Sequence, residues 1–215
     1  LSIRRQRQMC IRDRRKIGSE EVVLNFWPLT GPLRFVGYPD AAFKNNTDSS
    51  SQMGMTIFLA ERRVKGKTDT KGSLVDYQST KIKTTTMSTT VAELHAFLKT
   101  FGNCQFLRGL WMDISSNVAE VHLRTDANNL VTTASTTRLP EQKETIHQIT
   151  QLRKEACSGR IDDLAHIVTE YCLADPLTKS SAKADELIKA VATGVLKFVD
   201  RHPPFRELLE NKHKA

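Results

Sequence analysis

Apolar and polar positions along this chain follow two different rhythms. LRFVGYPDAAF (33–43), MGMTIFLA (53–60) and LVDYQSTKI (74–82) are short apolar or alternating runs. NNTDSSS and a turn rich in Gly, Lys and Asp over 65–73 separate them. Such runs between turn residues predict three strands with short connections, an antiparallel meander. The rhythm then changes. In STTVAELHAFLKTFGNCQFLRGLWM (88–112), Val91, Leu94, Leu98 and Phe101 recur at steps of three and four, behind Ser and Thr suited to capping. That spacing predicts a long helix. VHLRTD (121–126) reads as a fourth strand. ANNLVTTAS (127–135) and EQKETIHQITQLRKEACSG (141–159) read as helices, with Ile146, Ile149 and Leu152 on one face. LAHIVTE (164–170) reads as a fifth strand, followed by helices at 173–178 and 182–193, the last stopped by Gly194.

Three strands, a helix, a strand, helices, a strand and a helix predict an α/β fold. Its sheet is expected to be mixed and five-stranded, three antiparallel strands then two parallel ones, flanked by helices. The domain is expected over 33–193. Residues 15–32 read as a connecting segment, and 194–215, with HPPF and a Lys-rich end, as a surface tail. No internal repeat is present.

The 215 residues suffice for one domain with a proper core, and 39% hydrophobic with 26% charged residues fits a globular protein. No apolar run approaches the ~20 residues that span a bilayer, so no membrane partner is expected. The net charge of +8 suggests a nucleic-acid binder. Half of it comes from an unusual source. RRQRQMCIRD (4–13) can be encoded by CGT CGG CAG CGT CAG ATG TGT ATA AGA GAC, which resembles a widely used transposase-based sequencing adapter. Residues 1–14 are therefore read as translated adapter and its edge, in preference to an Arg-rich arm that binds nucleic acid. The natural coding sequence is expected to extend further upstream. Without these residues the chain has 27 basic and 23 acidic side chains, a net of +4. That balance permits nucleic-acid binding without demanding it. Cys104, Cys157 and Cys172 remain, with no C-x-x-C pair, which argues against a zinc ribbon or a disulfide framework. Reduced thiols of the cytosol or nucleus are the simplest expectation.

Four acids fall at element ends. Asp40 closes the first strand, Glu93 lies near the start of the long helix, Asp126 closes the fourth strand, and Asp175 opens the helix after the fifth. Each has an ordinary reading: a turn for Asp40, a solvent-facing helix acid for Glu93, helix caps for Asp126 and Asp175. Asp175-Pro176 in particular is a common helix start. Glu93 fits its ordinary reading least well. At 100° per residue it projects with Thr89, Ala96 and Phe97, on the edge of the face that should pack on the sheet. A phosphodiester hydrolase needs such a set, because two Mg²⁺ ions about 3.5–4 Å apart clamp the attacking water and the leaving oxygen. Hard cations of this kind prefer carboxylate oxygens. Spacing along the chain leaves open whether the four acids meet.

GYPDAAF (37–43), STTVAELHAF (88–97), RTDANNLV (124–131) and LADPLTK (173–179), in that order, resemble the ribonuclease H domain of copia-type LTR retrotransposon Pol polyproteins. LADPLTK is the most specific element, similar to the family's Ala-Asp-x-x-Thr-Lys ending. The resemblance implies a ribonuclease H-like sheet and cleavage of the RNA strand of RNA–DNA hybrids during reverse transcription. It also implies Mg²⁺ as cofactor, two ions with Mn²⁺ as a substitute. Asp40, Glu93, Asp126 and Asp175 then serve as catalytic metal ligands. Asp40 and Asp126 would lie nearest both ions, Glu93 by the leaving group and Asp175 by the attacking water. The implied partners are an RNA–DNA hybrid and the reverse transcriptase domain of the same polyprotein, in a cytoplasmic virus-like particle or the nucleus. Asn128, Asn129 and Lys179 are candidate contacts to the nucleic-acid backbone, and are equally well read as helix-surface groups.

The chain departs from the family at Pro39, where Ser is usual, and at Phe43, where many members have Trp. KETIH (143–147) stands for a Thr-Lys-His segment, which leaves the role of His147 open. His166 is expected to be a packed or edge histidine. Two other readings remain: a catalytically inactive transposon-derived domain that binds nucleic acid or a partner, and a basic domain with scattered acids. The second predicts carboxylates more than about 10 Å apart, beyond a two-metal site.

Overall fold

A computed structural model describes residues 24–62, 68–135, 140, 143–179 and 181–200. The adapter-like residues 1–14, the first part of the connecting segment and everything after Asp200 lie outside the described residues. The elements run β1 (Leu33–Ala42), β2 (Gln52–Glu61), β3 (Asp69–Lys81), α1 (Thr89–Ser115), β4 (Glu120–Thr125) and α2 (Asn128–Ser135). A 3₁₀ turn at Lys143–Thr145 then leads into α3 (Ile146–Cys157) and β5 (Asp163–His166). After a second turn at Thr169–Tyr171 come α4 (Asp175–Thr178), α5 (Asp185–Thr193) and β6 (Val195–Lys197).

The strands form one mixed sheet in the order β5-β4-β1-β2-β3-β6. β1, β2 and β3 pair antiparallel, while β4 and β5 add to the other side of β1 in parallel. This is the mixed sheet expected above, three antiparallel strands then two parallel ones, with one strand more. The chain after Gly194, expected as a surface tail, turns back onto β3 as β6 and buries Leu196 and Phe198. Gly194 makes the return possible, with φ at +68° where a side chain would be strained. β3 begins earlier than its alternation suggests, because Ser73 and Gly72 are held by register with Leu59 and Ala60 of β2. β5 is shorter than expected, ending at His166, beyond which Ile167 makes a single bridge to Asp200.

Helices cover both faces. On one, Leu94 and Phe97 of α1, Leu130 of α2 and Ile149 and Leu152 of α3 pack on Phe35, Ile57 and Leu123. On the other, Leu177 of α4, Leu187 and Val191 of α5 and Leu196 pack on Val36, Tyr38 and Phe58. β1 is therefore buried on both sides, which explains why it reads as a nearly continuous apolar run. Pro39 sits beyond Gly37, where the pairing of β1 with β4 has ended, so its missing N–H breaks no bond in that ladder. Among the described residues no helix is long and apolar enough to cross a membrane.

Candidate metal centre

Parallel pairing sets the first two acids side by side. β1 and β4 run in register from Arg34↔Glu120 to Gly37↔Leu123. The same register carried to the strand ends places Asp40 opposite Asp126, both on the face that carries Arg34 and Arg124. The C-terminal ends of parallel strands are where open α/β sheets bind ligands. Oxygens of Asp40 and Asp126 and the sulfur of Cys172 all lie within 4.8 Å of one another. This distance removes the scattered-acid reading for Asp40 and Asp126.

Glu93 comes from α1. Ser88 caps that helix by accepting from the Val91 N–H at 3.2 Å, and Ala96 and Phe97 bury against the sheet. This orientation, expected from the helical angle, turns Glu93 toward the strand ends, where its carboxylate accepts from the Ala41 N–H. Asp175 comes from α4 on the opposite face. The helix start carries no side-chain cap bond, so the Asp-Pro pair does not work as the N-cap that its sequence suggests. The Asp175 carboxylate is instead taken by the ammonium of Lys179, one turn on. α4 can lie this close because Gly54 is the β2 residue opposite Asp40. A Cβ there would meet Thr178 Cγ2 at 2.7 Å and the Ala174 carbonyl at 3.1 Å. Asn45 Nδ2 donates to the Thr178 carbonyl at 2.8 Å and fastens the turn from the other side.

Asp40 is fully buried. It accepts from the Thr178 hydroxyl, and Lys179 Nζ lies 3.2 Å from its Oδ1. Burial raises its pKa above the ordinary carboxylate value, and the nearby Asp126 and Asp175 charges add to this against the opposing pull of Lys179 and Thr178. Burial likewise pushes Glu93 up to about 9, with Asp40 and Asp126 raising it further. The four acids thus share one electrostatic site: Asp126 raises both Asp40 and Glu93, and Asp175 raises Asp40.

The donor chemistry suits a hard divalent cation. Burial, followed by the charges of Asp126 and Asp40, raises the Cys172 thiol well above its ordinary value, and its S–H points to the Pro39 carbonyl. Without a metal the thiol is held protonated, and the two carboxylates beside it offer the hard oxygen ligands.

Asn128 and Asn129 are exposed at the start of α2, directly after Asp126. Lys179, read equally as a backbone contact or a helix-surface group, turns its ammonium inward to Asp40 and Asp175. His166 is packed, as expected, and its Nε2 donates to the Asp126 carbonyl at 3.1 Å. Thr178 and Cys172 were not singled out as site residues. Thr178 lies inside the LADPLTK motif and was within reach of that signal, whereas nothing local marks Cys172.

No family model matches the chain, and no curated protein does. Solved structures similar to it include LC11-RNase H1 in complex with an RNA/DNA hybrid. It is 19% identical, with 72% of this chain and 99% of that one covered, at a TM-score of 0.47. RNase H1 from the halophilic archaeon Halobacterium salinarum NRC-1 is 17% identical, covering 73% and 99%, at 0.45. The foamy viral protease-reverse transcriptase in complex with an RNA/DNA hybrid is 16% identical, covering 74% of this chain and 22% of that one, at 0.44. At such identities and TM-scores no activity transfers to this chain.

Proposed function

We propose that this chain is a divalent-metal-dependent ribonuclease H domain of a copia-type retrotransposon Pol polyprotein. In this reading it cleaves the RNA strand of RNA–DNA hybrids. The observation that carries the reading is the meeting of Asp40 and Asp126 at adjacent strand ends, with Glu93 and Asp175 closing on them from opposite faces. Carboxylates gathered in this way repel one another, and a bound cation offsets that repulsion. The carboxylate oxygens of Asp40, Glu93, Asp126 and Asp175 favour Mg²⁺, or Mn²⁺ in its place. Bound there, such ions supply an activated water and neutralise charge on the leaving oxygen.

The chain's own groups do the rest. Thr178 orients the buried Asp40, the Ala41 N–H holds Glu93, and His166 ties down the backbone of Asp126. Asn128 and Asn129, exposed beside Asp126, are placed to meet the nucleic-acid backbone. The reverse transcriptase domain is the proposed partner within the polyprotein.

The test is a cleavage assay with a labelled RNA–DNA hybrid and Mg²⁺ or Mn²⁺, beside Asp126→Asn. Cleavage of the RNA strand, reduced on the order of 100-fold or more in the variant, is the expected result for losing a metal clamp worth several kcal/mol. A folded protein that binds the hybrid without cutting it would favour the inactive, binding-only reading.

A further inference from the structure

Four acids converge at the strand ends, and among the described residues Lys179 forms ion pairs with two of them. Its ammonium is bonded to Asp175 Oδ1 and lies 3.2 Å from Asp40 Oδ1. It therefore bridges an acid of β1 and an acid of α4, two elements from opposite ends of the chain. The contact is asymmetric in exposure. The Asp40 side chain is fully buried, whereas that of Lys179 is 37% exposed. A long, flexible, partly exposed stem can swing its ammonium into water, while the buried carboxylate cannot follow.

A divalent ion held by Asp40 and Asp175 would sit among the same carboxylates that the ammonium pairs with, and the two cations would repel each other there. We propose that Lys179 is a displaceable counter-ion of the acid cluster. It holds Asp40 and Asp175 together when no divalent ion is bound, leaves them when one enters, and so weakens metal affinity by competition. This inference rests on the metal-binding reading above. It assigns Lys179 a positioning role toward the ion, distinct from a contact to nucleic acid. Removing its charge makes the cluster more negative and frees its ligand atoms, both of which favour a cation.

The experiment is calorimetric titration of Mn²⁺ into the full chain, as wild type, Lys179→Met and Lys179→Arg. Lys179→Met is expected to bind Mn²⁺ about tenfold more tightly than wild type, a change equal to about 1.4 kcal/mol. Lys179→Arg keeps the charge and is expected to stay near wild type. Equal or weaker binding by a folded Lys179→Met overturns the proposal while leaving the metal reading intact. No binding by any of the three overturns both. Should Lys179→Met fail to fold, the wild type still decides. Acetic anhydride labelling of Lys179, followed by mass spectrometry, is expected to rise when Mn²⁺ saturates the site. Unchanged labelling at saturating Mn²⁺ overturns the displacement.

Discussion

Two charged clusters share one face of the sheet, and both are built on β1 and β4. Upstream on these strands lie Arg34, His122 and Arg124, with Asp163 of β5 and Asp200 beyond β6. At the strand ends lie Asp40 and Asp126, with Glu93 and Asp175. In the first cluster charges balance. Arg124 donates to Asp163 at 2.5 Å and pairs with Asp200 at 3.2 Å. The Phe198 ring lies 5.2 Å from the Arg34 guanidinium and 5.6 Å from that of Arg124. Arg124 meets both aspartates, Arg34 lies 3.5 Å from His122 Nδ1, and Phe198 covers the two arginines. In the second cluster, among the described residues, Lys179 pairs with Asp40 and Asp175 of the four acids. Buried charge is tolerable where the protein itself supplies the partner. Where acids outnumber the cation beside them, an added cation would relieve their repulsion, and in the proposed function that difference separates a structural device from a site.

The largest effect that sharpens this comparison belongs to the balanced cluster. Arg124→Met takes a fully buried guanidinium away from the partly buried Asp163 and Asp200, and is expected to cost about 3 kcal/mol in urea unfolding. The stabilisation by metal should survive in this variant if it folds. Second in size is the metal itself. Mg²⁺ at 100 times its Kd is expected to raise wild-type stability by about 2.7 kcal/mol, and Asp126→Asn should erase most of that gain. A metal response equal in wild type and Asp126→Asn would break the comparison.

A smaller effect has the opposite sign to that of Arg124→Met. Without metal, Asp126→Asn removes a charge that presses on Asp40 and Glu93. It is expected to raise stability by about 1 kcal/mol, the usual trade at a strained site. Loss of stability in the metal-free variant would show that Asp126 works as a structural acid.

The smallest effect is read from pH. Glu93 is pushed up to about 9, so the folded metal-free protein holds a proton that the unfolded chain releases near 4.5. The stability from that proton is present at low pH and declines as pH rises through about 9. In the balanced cluster burial lowers the His122 pKa below 6.5, and Arg124 holds Asp163 below its ordinary range despite burial. Their contribution is present above those ordinary values and is lost as the pH falls. Melting temperatures measured across pH in EDTA should therefore show an alkaline decline from the acid cluster and an acid decline from the other. Glu93→Gln should flatten the alkaline decline alone.

Much of the site was legible along the chain. Asp40 and Asp126 stand at the ends of apolar runs, Glu93 lies on the sheet-facing edge of a helix whose first apolar residues recur at steps of three and four, and Asp175 sits within LADPLTK. These are local signals, because the period of a segment reveals where it ends and which way its residues turn. Three misreadings share a cause. β6 has only three residues, too few for a period, and exists because β3 offers an edge for it to pair with. The start of β3 is polar and is held by its neighbours' hydrogen bonds. The Asp-Pro cap follows the commonest use of that pair, which here gave way to a lysine one turn on.

By itself the sequence determined the alternation of strands and helices, the mixed sheet they imply, and the four acids at element ends. Only the tertiary structure decided that these acids meet. Parallel register places Asp40 against Asp126, and the missing side chain of Gly54 lets α4 bring Asp175 and Lys179 onto the sheet. It also turned Lys179 inward and placed the thiol of Cys172 beside the acids. The reason is physical. Periodicity is a property of a few consecutive residues, whereas the distance between residues 40 and 175 is set by strand pairing and close packing among segments far apart in the chain.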